Sequence, residues 1–449
     1  MTRSVFSFRS IASFTQPVPA REAGFGIFKM RFFTFVTLLF LSVFLSFTAN
    51  AATLIVDDNS ACPGAAFTTI QAAINAAAPT DTIQVCAGTY AEQIDINKPL
   101  TVLGPNEAIN PNTGIRVAEA VIIPTSSDPL NPGFAGPIVV TMSVSGITFR
   151  GFTVDGDNPA LTSGVLFNGA DVDAEFGIYG DGSANPDAIV ENNIVKNIGE
   201  ISVWINTFGI GGSRNGNSSI LNNKVDNNLG NFGQGLRISD DAWVSVTNNV
   251  ATRVRVGITI ENYSGNVTTH PASVISGNNI SAFRIGIRHN LHYVYTAPGF
   301  TISQNTVNAY VQSPIPPQVT TPTAYQGIRV ESIQQTVFVD VNDNIVNGNR
   351  TALTGAGYTR IDGLNVTNSS ATSPNIAFRR NNVSDSIRGV FHETPAVPLF
   401  ESNAITGSTF GIVNDAAAPN GLIAHFNRIA GNTTAGLQNN AGVTINAEN

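Results

Sequence analysis

The chain has 449 residues, a formal net charge of −8 and only 12% charged residues, with 41 glycines. That balance excludes helical bundles and coiled coils, which draw on abundant charged helix formers. The length would allow two or three ordinary domains, but repeat architectures grow without dividing into separate cores.

In chain order, the first feature is a leader. Lys29 and Arg31 make a basic start, Phe32 to Phe47 an apolar stretch, and Ala49-Asn50-Ala51 a small-residue cleavage site, so residues 1–51 read as an upstream extension and a secretory signal peptide. Met30 suits a start codon. The apolar run falls short of the roughly 20 residues a spanning helix needs, which favours export over a membrane anchor. Beyond residue 51 the chain holds 18 Lys and Arg against 30 Asp and Glu, a net charge of −12. Nucleic acid and anionic membrane are poor partners for such a surface.

Cys62 and Cys86 are the only cysteines. An exported chain meets an oxidising compartment, where the pair can close as a disulfide worth roughly 3 kcal/mol; two buried thiols are the alternative. Neither has a His or Cys cluster beside it, so zinc is not suggested. Next, Ile70, Ala73, Ile74 and Ala77 share one helical face, and Thr68 and Gln71 are spaced as a capping box. Residues 52–81 are therefore expected to form an N-terminal cap whose helix shields the first coil of a solenoid.

From residue 82 short alternating strands follow, at Thr82 to Val85, Gln93 to Ile96, Leu100 to Gly104, Ala120 to Ile123 and Ile147 to Asp155. The segments Phe67-Thr68-Thr69-Ile70-Gln71-Ala72-Ala73-Ile74, Thr82-Ile83-Gln84-Val85, Ala87-Gly88-Thr89-Tyr90 and Leu100-Thr101-Val102-Leu103-Gly104 resemble the opening of pectin-lyase-like β-helix proteins, and pectin methylesterases begin similarly. The resemblance implies a fold rather than an activity.

After residue 177 a two-part phrase repeats. One part is Gly before an alternating apolar strand: Gly177-Ile178, Gly209-Ile210, Gly235-Leu236, Gly257-Ile258, Gly286-Ile287, Gly327-Ile328, Gly363-Leu364, Gly389-Val390, Gly411-Ile412 and Gly436-Leu437. The other is an apolar strand ending in Asn, at Asn193, Asn223, Asn249, Asn279, Asn305, Asn344, Asn382, Asn403, Asn427 and Asn449. The period marks a solenoid, and strands this short can bury one face only by stacking on like strands of neighbouring coils. The expected fold is all-β, a right-handed parallel β-helix over residues 82–449, with Asn side chains tolerating left-handed corners and stacking as an amide ladder. Because Asn449 falls on a ladder position with no closing element after it, either a longer gene product or an end protected by another molecule is expected, the former being favoured.

Pectin methylesterases carry Gln-Asp-Thr and no Gln-Asp pair occurs; polygalacturonases combine paired aspartates with Gly-His-Gly, and although Asp240-Asp241 is present, no histidine is flanked by glycines. What the repeat does offer is an outward stripe, because residues two and four after Gly point away from the interior. On four successive coils these are Arg237 and Ser239, Thr259 and Glu261, Arg288 and Asn290, Arg329 and Glu331. Beyond the same strands lie loops containing Pro186, Pro271, Pro298, Pro374, Pro395 or Pro419.

Arg288 and Arg329 should stack roughly 5 Å apart, a repulsion that something must offset. Pairing with Glu261 and Glu331 is one answer, and carboxylates or sulfates of an acidic glycan, suited to the planar guanidinium fork, are the other. Arg237, Arg288, Arg329 and Glu331 are thus binding candidates. Asp240, Asp241, Glu261 and Arg288 are the catalytic candidates, with two carboxylates on adjacent coils as glycosidases use; clustered oxygens of this kind would also suit calcium, although no ligand spacing requires a metal or other cofactor. His289 and His292 read as surface or loop residues, and Trp204, Trp243, Tyr263, Tyr293 and Tyr295 as packing residues or sugar platforms. The leading expectation is a monomeric secreted module that binds polysaccharide or cell-surface glycan, or that acts as a spacer. The rival is a lyase or glycoside hydrolase acting on an acidic polysaccharide.

Overall fold

The computed structural model describes residues 51–449 apart from 181–186, 207–217, 240–243, 263–272, 292–298, 333–337, 368, 370–374, 416, 419, 441–445 and 449. The leader, Gly209-Ile210 and Asn449 lie outside the described residues. One sheet has 14 strands, from Thr53–Val56 to Asn446–Glu448, each parallel to the equivalent strand of the next coil. A further 22 strands form a second network of parallel pairings, made continuous by strands long enough to turn a corner, Val250–Asn262 and Asn279–Leu291. Ser218–Leu221, Lys224–Asn228 and Gln234–Ser239 make up one coil. Crossovers between parallel strands of one sheet are right-handed in nearly all cases, and the winding is that of a right-handed parallel β-helix.

The coil begins earlier than residue 82. Thr53–Val56 is already the first strand of the 14-stranded sheet and pairs in register with Thr82–Val85. The helix α1, Ile70–Ala76, buries Ile70, Ala73 and Ile74. The expected capping box between Thr68 and Gln71 does not form. Thr69 is the N-cap instead, accepting from the Ala72 amide at 3.3 Å, while the Glu92 carboxylate accepts from the amides of Ile70 and Gln71. Three carbonyls at the other end, of Ile74, Asn75 and Ala77, accept from the Lys98 ammonium. Cys62 and Cys86 are joined, tying the loop after the first strand to the end of the second.

Apolar side chains stack in files through the interior. The file Val190, Ile220, Val246, Ile275, Ile302, Val341, Phe378, Phe400 is buried throughout and advances one rung per residue. At the corner after it runs the amide ladder: Asn193, Asn223, Asn249, Asn278, Asn305, Asn344, Asn381, Asn403 and Asn427. Each of the first eight donates from Nδ2 to Oδ1 of the next at 2.9–3.1 Å. Two rungs differ from the sequence expectation, Asn278 in place of Asn279 and Asn381 in place of Asn382. The reason is geometric: the ladder residue stands three after the inward apolar residue, as Asn305 follows Ile302, and this picks the first Asn of each doublet. Nor do the ladder residues themselves take the left-handed conformation. The residue before does, with φ of 57° at Asn222, 68° at Gly277 and 57° at Gln304.

The repeat glycines serve a different need, close approach of backbone to backbone. A Cβ on Gly286 would lie 2.1 Å from Val307 Cγ1 and 2.5 Å from the Gly327 carbonyl oxygen. On the coil where Gly209-Ile210 was expected in this role, register places Ser202-Val203 opposite Gly177-Ile178 and Gly235-Leu236.

Asn305→Ala should cost about 2–3 kcal/mol, because the buried Asn278 amide loses its acceptor, the Asn305 Oδ1; urea unfolding measures it, and a change below 0.5 kcal/mol would contradict the ladder's role. Replacing Cys62 and Cys86 together by Ala should lower unfolding free energy by roughly 3 kcal/mol, against a negligible effect of reductant on the double variant.

Candidate functional site

The Gly strands align outward-facing side chains into a stripe. Register sets Tyr179, Trp204, Arg237, Thr259, Arg288, Arg329 and Asn365 one rung apart, and beside them Ser239, Glu261, Asn290, Glu331 and Thr367. Arg288 and Arg329 are thus direct neighbours, as the spacing predicted. Their repulsion is relieved by an alternating network in which Glu261 pairs with Arg237 and Arg288, and Glu331 with Arg288 at 3.1 Å and with Arg329. This is no loose surface network: the Glu261 and Glu331 side chains are 3% and 4% exposed. Carboxylates so buried need the arginines, and removing one partner would strand a charge. Three guanidinium groups against two carboxylates leave the network at +1.

Aromatic rings border the network on its N-terminal side. The Arg237 guanidinium lies 4.3 Å over the Trp204 ring, whose indole N–H donates to Ser239 Oγ at 2.6 Å. Trp204 packs on Tyr179 and Phe176, and Phe134 packs on Phe176 and Phe232. Phe232 is 55% exposed, a large apolar face left in water beside charged groups.

Between Phe232 and the arginines is a pocket of about 280 Å³ lined by Asn231, Phe232, Gln234, Val256, Thr259, Arg284, Ile285, Arg288 and Arg329. Among the described residues it is lined by no carboxylate, and Glu261 is paired with Arg237 and Arg288. Arg284 was not singled out from the sequence. It reaches the pocket through a break in register: Val254 pairs with Ala282 and Val256 with Ile285, so Phe283 and Arg284 together oppose the single Arg255. Such a bulge re-aims side chains; here Phe283 is buried and Arg284 exposed. A signal did exist, since Arg255 and Arg284 each stand two residues before a repeat glycine. Arg255 lies over Phe283 and donates to the Thr320 carbonyl at 2.9 Å.

The remaining candidates fall elsewhere. Asp240, Asp241, His292, Trp243, Tyr263, Tyr293 and Tyr295 lie outside the described residues, as do all the named loop prolines except Pro395. His289 is neither surface nor loop: it occupies an inward position between Ile260 and Val330, is wholly buried against Phe300, and has no hydrogen-bond partner on either ring nitrogen. Among the described residues no group of three or more His, Cys, Asp or Glu is arranged to hold a metal ion, and no helix is long and apolar enough to cross a membrane.

Among the buried groups whose titration is shifted, two move in opposite senses. Burial pushes His289 down from 6.5 to about 4. Between those values the unfolded chain binds the proton and the folded one does not, so this group lowers stability as pH falls through that window. Burial pushes Glu200 up from 4.5 to about 8, against a hydrogen bond from the Phe232 amide. Here the folded chain holds the extra proton, so stability falls as pH rises through that window. Thermal melts should therefore show His289→Val flattening the acid limb below pH 6.5 and Glu200→Gln raising the midpoint at pH 8 more than at pH 5. The reverse assignment of limbs would refute both.

No family model matches the chain, and no curated protein does. Solved structures are similar at low identity. The A-module of a mannuronan C-5 epimerase from Azotobacter vinelandii matches with 14% identity, covering 85% of this chain and 94% of that one, at a TM-score of 0.41. A polygalacturonase from Erwinia carotovora matches with 13% identity over 88% of this chain and 96% of that one, at 0.42. A Streptococcus pneumoniae surface protein and adhesin matches with 12% identity, over 85% and 95%, at 0.36. The strand pairing makes the chain a right-handed parallel β-helix, and the comparisons assign it to no family.

Proposed function

We propose that this chain is an exported, non-catalytic module that binds a polysaccharide along the stripe from Trp204 to Arg329. The observation that carries the reading is the pocket lining: an exposed aromatic ring, three arginines and, among the described residues, no carboxylate. Aromatic faces suit sugar rings and arginines suit their polar or anionic substituents, whereas acid and base catalysis of glycoside cleavage needs carboxyl groups facing the substrate. Glu261, the one carboxylate among the catalytic candidates that is described, is committed to Arg237 and Arg288. Arg288 then serves as a binding group, alongside Arg237, Arg329 and Glu331, which shape and hold the charged wall.

The test offers purified protein pectate, alginate, chitin and sulfated glycans, following binding and product formation together. Binding to at least one without turnover is expected, and Phe232→Ala should weaken it about tenfold, on the order of 1.4 kcal/mol, with the melting temperature unchanged. Product formation would overturn the non-catalytic reading; an unaltered affinity in the variant would move the site away from this pocket.

A further inference from the structure

We infer that the pocket bordered by Arg284, Arg288 and Arg329 receives a single oxyanionic substituent of an acidic glycan, a carboxylate or a sulfate, with Arg284 as its direct ion-pair partner. The inference rests on the glycan-binding reading above and adds the chemical class of the ligand.

Of the arginines on this face, Arg237, Arg288 and Arg329 share Glu261 and Glu331, while Arg360 and Arg388 flank the buried Asp362. Arg255 has Thr320 and the Phe283 ring. Arg284 alone of these makes no ion pair or hydrogen bond among the described residues. It nonetheless lines a concave site next to two like charges, and burial first, then both of them, disfavours its charged form.

Pocket and network together thus carry +2, with no acid among the described residues that line the cavity. Thr259 Oγ1, buried on the pocket wall, also lacks a partner. A hydroxyl donor and an unpaired guanidinium on one small concavity match an oxyanion, which accepts from both; a neutral sugar hydroxyl would leave the charge unanswered. Conformations that crowd an unpaired cation against its like are kept where a ligand supplies the missing charge, at a cost in stability without it.

The experiment is calorimetric titration of trigalacturonate, of the same trisaccharide with its carboxyl groups reduced to alcohols, and of a heparin-derived tetrasaccharide into the wild type, Arg284→Gln and Arg284→Lys. The wild type should bind at least one acidic probe more tightly than the reduced one. Arg284→Gln should lose at least about tenfold for that probe and nothing for the reduced sugar, and Arg284→Lys should recover part of the loss; the preferred acid identifies carboxylate or sulfate. The melting temperature of Arg284→Gln without ligand should be unchanged or higher, which a structural role would not allow. Equal binding of acidic and reduced sugars, unaffected by Arg284→Gln, overturns the inference while leaving the glycan reading intact. Binding of none of the three overturns both.

Discussion

Everything in this molecule depends on rungs superposing in exact register, one inter-strand spacing of roughly 4.8 Å per coil. Hydrogen bonds between parallel strands set that step, but they tolerate slippage by two residues. What forbids slippage is the pair of side-chain files at fixed points of the coil. Asparagine amides at one corner bond to their counterparts above and below and to backbone groups of the adjoining coils, and glycines on the third strand leave no room for a Cβ between backbones. Loops leaving the coil can differ widely in length without disturbing the files, since ladder residues 22 to 39 apart in sequence bond with the same geometry.

Register is also what turns a dispersed set of charges into a site. Arg237, Glu261, Arg288, Glu331 and Arg329 span nearly a hundred residues of chain, yet each stands within a rung or two of its partner. Like charges on adjacent rungs would repel, so acids and bases interleave. The burial of both glutamates makes the arrangement mutually dependent rather than a loose collection of surface pairs.

The periodic features were legible in the sequence because periodicity reports directly on which residues share a face. The solenoid, the outward stripe and the adjacency of Arg288 and Arg329 all follow from counting residues after a glycine. The errors arose where counting has a neighbour to choose between: the Asn278-Asn279 and Asn381-Asn382 doublets, the copy assigned to Gly209 rather than Ser202, and Thr68 rather than Thr69 as helix cap. His289 was misplaced for another reason, since a polar type was read as outward although its position, three after Gly286, is inward. Arg284 escaped notice because a bulge, one extra residue against Arg255, breaks the regular alternation at that point. Local departures from a repeat are where a site differs from its scaffold, and no single-period rule finds them.

The amide ladder has one more property. Every link runs in the same sense, with Nδ2 aimed toward the following coil and Oδ1 toward the preceding one. The side-chain dipoles of nine asparagines therefore add instead of cancelling, and each polarises the next in a dry interior. The ladder is electrically directional along its length, its negative pole toward the N-terminal coils.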